Sequence, residues 1–153
     1  MSDIIPALTV LILDERRIYR DMLAVLFERH GITVVQAANG NEASVRLREH
    51  RVGLLIMDVE LGGMHGLEFL NRLRQNQTMK NLPVMIVTDI REKAYILRAS
   101  ALGVRDYILR SCFAAERFMD RARQLLGLPR YMAPKSSPAV PSKAAGELLH
   151  AVV

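Results

Sequence analysis

Short apolar runs alternate with longer amphipathic stretches along most of this chain. LTVLIL (Leu8 to Leu13) shows no polar alternation, the pattern of a strand buried on both faces of a parallel sheet. After it Ile18, Met22, Leu23, Leu26 and Phe27 recur at helical spacing as far as His30 and Gly31, where glycine supplies a stop. The alternation then repeats. Strands are predicted at Thr33 to Ala37, Gly53 to Met57, Pro83 to Val87 and Asp106 to Leu109. Helices are predicted over Glu42 to Glu49, along a stretch bearing Leu67, Leu70 and Leu73, and over Glu92 to Leu102 and Ala114 to Leu126. Asn39-Gly40, the glycines at 62, 63 and 66, Asn81-Leu82-Pro83 and Gly103 punctuate the boundaries.

Five such units predict an α/β architecture: a five-stranded parallel sheet, doubly wound as (βα)5 into a three-layer sandwich. Right-handed crossovers place helices on both faces. A chain of 153 residues suffices for one domain of this kind. From Gly127 the composition changes, with four of the six prolines in GLPRYMAPKSSPAVPSKAAG and no periodicity. The expected organisation is a folded domain over 1–126 and a Pro/Ser-rich linker or disordered tail over 127–153.

Charge and composition remove several classes. The net charge of +5 is spread over scattered basic residues, without zinc-ligand spacing or a basic helix, so no specific nucleic-acid partner is expected. No apolar run approaches the roughly 20 residues of a membrane span, and MSDIIP lacks the features of a secretory signal. The single cysteine, Cys112, cannot form an internal disulfide, and a cytoplasmic location is expected.

The candidate chemistry lies where two apolar runs stop. Asp14 and Glu15 follow the first strand and Asp58 follows the third. Ligand crevices in parallel α/β sheets lie outside the carboxyl ends of the strands, so these acids are predicted to converge. Hard anionic oxygens suit Mg²⁺. A carboxylate can also attack a phosphoryl donor to give an acyl phosphate, provided cationic groups offset the charge that gathers. A lone Asp after a strand is ordinarily a cap or loop acid, and the paired placement argues against that reading. A phosphatase or a flavin or nucleotide carrier fits poorly, because DERRIYRD offers no Gly-rich phosphate cradle and puts Arg16 where a phosphatase wants a general acid.

LILDERRIYRDML, MDVELGGMHGLEFL, PVMIVTD and ALGVRDYILR, in that order at those strand ends, resemble the receiver domain of two-component response regulators over about residues 7–126. The resemblance implies a flavodoxin-like fold and a phosphoryl-accepting signalling switch rather than an enzyme. It makes Asp58 the phosphoacceptor, with Asp14, Glu15, Asp58 and the backbone carbonyl of Glu60 holding Mg²⁺. Thr88 matches the hydroxyl that reaches the phosphoryl group, Tyr107 the aromatic that changes rotamer with it, and Arg110 stands in the place of the usual lysine. The implied partner is a histidine kinase or phosphotransfer protein. The output surface is expected on the face of the fourth helix, fifth strand and fifth helix, where Tyr95, Arg98, Ala99 and Arg117 would meet a partner or a second copy of the chain in a homodimer.

Several residues depart from that pattern. Glu15 replaces an aspartate, and Gly62 stands where proline is usual. Arg110 brings a planar, permanently charged fork able to pair with Asp58 before any phosphate arrives. Asp89 replaces a small residue; pointing inward it repels a donor, and pointing outward it is a surface acid. Ile90 limits the approach of a hydrolytic water. Arg110, Asp89 and Gly62 favour the alternative of a degenerate receiver that binds partners without phosphorylation; it ranks second to the phosphoryl-accepting switch, because all the acids needed for metal and phosphate are retained. His65 reads as a loop residue, Cys112 as an inert thiol and the methionines as core filler.

Overall fold

A computed structural model describes residues 9–132, and the expected linker beyond 132 lies outside the described residues. In chain order the elements are β1 (Thr9–Leu13), α1 (Arg17–Arg29), β2 (Thr33–Ala37), α2 (Gly40–Glu49), β3 (Val52–Met57), β4 (Glu60–Leu61), β5 (Met64–His65), α3 (Gly66–Gln75), β6 (Val84–Thr88), α4 (Lys93–Ala101), β7 (Asp106–Leu109), a 3-10 turn (Arg110–Cys112) and α5 (Ala115–Leu125). Five parallel strands are ordered β2-β1-β3-β6-β7. From β1 the chain steps outward to β2 and then back past β1 to β3, so the winding reverses between β1 and β3. Leu13 is paired with Met57 across that junction, which sets the next residues, Asp14 and Asp58, side by side.

Alternation along the strands divides the core into two layers. Leu11, Leu13, Leu55, Met57, Val84 and Ile86 face Ala43 and Leu47 of α2, Leu67, Leu70 and Leu73 of α3 and Ala99 of α4. Val10, Ile12, Leu54, Ile56, Met85 and Val87 face Leu23 and Phe27 of α1 and Phe118, Met119 and Ala122 of α5. The edge of one ring meets the face of the other in the Phe27–Phe118 pair, whose centroids are 5.7 Å apart. Among the described residues no helix is long and apolar enough to cross a membrane.

Local differences from expectation have physical causes. α2 begins two residues early because Asn39 Oδ1 accepts from the Glu42 amide at 2.9 Å while Glu42 Oε2 accepts from the Ala38 amide at 2.7 Å, a nearly reciprocal cap. The small antiparallel pair β4–β5 was not foreseen; two-residue strands are too short for any periodicity to show. Its turn passes through Gly63 at φ +80°, and at Gly66 a β-carbon would lie 2.5 Å from the Asp58 carbonyl oxygen. Ala99 is a correction: it is only 1 % exposed and belongs to the core, so it cannot form part of a docking face. Arg98 and Arg117 are exposed and Tyr95 is half-buried. The boundary expected at 126 falls one residue after α5. Beyond it the chain remains anchored, with Leu128 packed on the α1–α5 layer and the Pro129 carbonyl accepting from Arg123 Nε at 2.8 Å.

Candidate functional site

Four strand ends deliver four buried polar residues to one place: Asp14 after β1, Asp58 after β3, Thr88 closing β6 and Arg110 after β7. Each aspartate is fixed by its own turn, for Asp14 Oδ1 accepts from the Arg16 amide at 2.9 Å and Asp58 Oδ1 from the Glu60 amide at 3.2 Å. Arg20 Nη1 donates to the Asp14 carbonyl at 2.7 Å and steadies the loop. The Thr88 hydroxyl donates to Asp58 Oδ1 at 2.5 Å. One nitrogen of Arg110, Nη2, donates to Asp14 Oδ2 and, at 3.2 Å, to Asp58 Oδ2.

A second arginine joins the first. Arg16 Nη2 lies 3.5 Å from Asp58 Oδ2 and 3.4 Å from Asp89 Oδ2. Arg110 Nη1 donates to that same Asp89 oxygen at 3.2 Å. Asp89 is therefore neither plugged inside nor turned away. At 49 % side-chain exposure it stands on the rim and ties the two guanidinium groups together. Below them lies the Tyr19 ring, 4.0 Å from the Arg110 guanidinium carbon and 4.5 Å from that of Arg16, a cation–π shelf for both. Burial pushes the Asp14 carboxyl above its ordinary range, against the opposing pull of the Arg16 amide and the Arg110 charge.

Receiver-like metal binding was expected from Asp14, Glu15, Asp58 and the Glu60 carbonyl. The fold brings Asp14 and Asp58 together and leaves Glu15 apart: Glu15 is exposed, its Oε2 only 3.0 Å from where a β-carbon on Gly62 would sit. The two aspartate oxygens that face each other share the Arg110 nitrogen. No group of three His, Cys, Asp or Glu among the described residues is placed to hold a metal ion. In this arrangement the residues present do not fit Mg²⁺, because a guanidinium already spans the carboxylates that would bind it.

A hydrogen-bonded path leads away from Asp58. The Ile90 amide donates to Thr88 Oγ1 at 3.3 Å, and the Tyr107 hydroxyl donates to the Ile90 carbonyl at 2.7 Å. Burial, with Asp58, Glu92 and Tyr95 nearby, pushes the Tyr107 phenol up to about 12. His65 caps α3 through Nδ1, 3.2 Å from the Leu67 amide, and stacks on Tyr95 at 5.0 Å. Cys112 is exposed. Arg16 and Tyr19 join the site without any motif that marks them in the sequence. Their three-residue separation at the start of an amphipathic helix was the available signal.

The sequence matches the response regulator receiver domain over residues 10–123. The chain belongs to the response regulator receiver family. It is 33% identical over 105 residues to the phosphate regulon transcriptional regulatory protein PhoB of Rhizobium meliloti, covering 69% of this chain and 46% of PhoB. To the polar-differentiation response regulator DivK of Brucella anthropi it is 29% identical over 119 residues, covering 78% of this chain and 96% of DivK. A putative response regulator from Chloroflexus aurantiacus superposes with a TM-score of 0.71 at 28% identity, covering 78% of this chain and 97% of that one. The receiver thus spans under half of PhoB and nearly all of DivK. Receiver domains are phosphorylatable switches of two-component signalling that typically hold Mg²⁺ at the phosphorylation site, which makes the guanidinium in this receiver's site a notable departure.

Proposed function

We propose that this receiver domain accepts a phosphoryl group on Asp58 from a histidine kinase or phosphotransfer protein and passes the change to a partner or effector. The observation that carries this reading is the Asp58 carboxylate itself: 1 % exposed, at the junction where the sheet reverses, with a hydroxyl on one oxygen and a guanidinium on the other. A carboxylate oxygen of Asp58 forms the new P–O bond as the bond from phosphorus to the donor's leaving atom breaks, and the departing imidazole or acetate keeps the electron pair. Arg110 and Arg16 offset the negative charge on the transferring group. Thr88 is placed to move its hydroxyl from Asp58 Oδ1 to a phosphoryl oxygen, and the link from Thr88 through Ile90 to Tyr107 carries that shift to the α4–β7–α5 face. On that face Ile96 and Leu97 of α4 are exposed apolar side chains, suited to a partner or a second copy of the chain. We place this activity in the cytoplasm, where such donors act.

Incubation with acetyl phosphate or phosphoramidate, followed by intact-mass measurement, tests the reading. A gain of one phosphate that disappears in Asp58→Ala is expected. No gain from either donor, with or without Mg²⁺, would shift the function to an interaction module that works without phosphorylation.

A further inference from the structure

We propose that the Arg110–Arg16 pair takes the place of the divalent ion in this receiver, so that phosphoryl transfer to Asp58 proceeds without a metal. The inference deepens the acceptor reading of Asp58 and concerns what neutralises it.

Position comes first. Arg110 Nη2 donates to both Asp14 Oδ2 and Asp58 Oδ2, on the two buried acids that would otherwise hold a cation. Charge follows. Two guanidinium groups carry the same total charge as one divalent ion, spread over a fork whose geometry suits the oxygens of a phosphoryl group. The pair is also braced, by the Tyr19 ring beneath both and by Asp89 linking them at the rim. Such bracing matters because an entering ion would have to dislodge a buried side chain. Arginine cannot shed its proton to make room, and Mg²⁺ gives up its waters reluctantly. The third carboxylate is already elsewhere, since Glu15 is exposed beside Gly62. A lysine at 110 would be a point charge on a flexible stem, able to step aside; the planar fork shared among three carboxylates is held.

Calorimetric titration of Mg²⁺ into the unphosphorylated full chain tests this, with Arg110→Lys and the uncharged Arg110→Met run beside wild type and circular dichroism confirming that each folds. Wild type is expected to show no saturable binding at millimolar Mg²⁺, and the variants to bind at least about tenfold more tightly. Wild-type phosphate gain from phosphoramidate is expected to be within about twofold with Mg²⁺ or with EDTA. Saturable wild-type binding, variants that bind no better than wild type, or phosphate gain abolished by EDTA would each overturn the inference. The absence of any phosphate gain under all conditions counts against the acceptor reading, while the titration still decides what occupies the metal position.

Discussion

Arg110 and Arg123 are the two buried arginines among the described residues, and they lie at opposite ends of the sheet. Each has its guanidinium over a tyrosine ring, Tyr19 at 4.0 Å and Tyr131 at 5.6 Å. Their other partners differ in kind. Arg110 is met by the carboxylates of Asp14, Asp58 and Asp89. Arg123, near the end of α5, is met by the Pro129 carbonyl at 2.8 Å and by His30 Nδ1 at 3.5 Å. An arginine held by carbonyl and ring dipoles is a clasp, here keeping the chain after α5 against α1. An arginine held by three acids neutralises a cluster of like charges, so its removal should be felt in charge as well as packing.

Arg110→Ala breaks the contrast most severely. It leaves two buried carboxylates facing each other, and in metal-free buffer the expected loss is about 3 kcal/mol of unfolding free energy by urea denaturation. Added Mg²⁺ should recover part of it, because the ion then has two oxygens to bridge. Arg123→Ala removes a charge-assisted hydrogen bond to a carbonyl that water can solvate afterwards. A loss of about 1.5 kcal/mol is expected, with no response to Mg²⁺ and with faster hydrogen exchange confined to residues 128–132. Equal losses with equal Mg²⁺ responses would show that the two arginines do the same work.

How much of this was visible in the chain depends on the length of the pattern carrying it. The three central strands, β1, β3 and β6, declare themselves because each is a short, largely apolar run, and the ends of β1 and β3 fix where Asp14 and Asp58 emerge. Their adjacency follows from the strand order, which right-handed crossovers make predictable. Glu15 illustrates the limit. Successive residues leave a strand end in different directions, and only the β4–β5 turn, too short to have a periodicity, shows that Glu15 lies outside beside Gly62. Ala99 was misplaced for a related reason: on a helix with small residues on several sides, the apolar pattern does not single out the buried one. The pairing of Arg110 with Asp58 was legible from its fork geometry. The joint hold of Asp89 and Tyr19 on Arg110 and Arg16 was not, since it joins the β6–α4 loop to the start of α1 through side chains alone.

The smallest expected effect concerns pH at the Arg123 end. Burial holds the His30 imidazole below its ordinary value; the Arg123 charge pushes in the same direction and Asp120 opposes it. The folded state therefore keeps His30 neutral where the unfolded chain, titrating near 6.5, already takes up a proton. Stability from this group is fully present above about pH 6.5 and is lost as pH falls through the lowered folded value. The ring also lies tilted against that of Tyr131, with centroids 4.2 Å apart, so the proton that charges His30 beside Arg123 acts against the same clasp. Between pH 7.5 and 5.5 the melting temperature of wild type should fall more than that of His30→Gln, with exchange at residues 128–132 rising in step. Arg123→Ala should narrow that gap, since without the neighbouring guanidinium a protonated imidazole meets less repulsion; an unchanged gap would assign the pH response to burial of the ring alone.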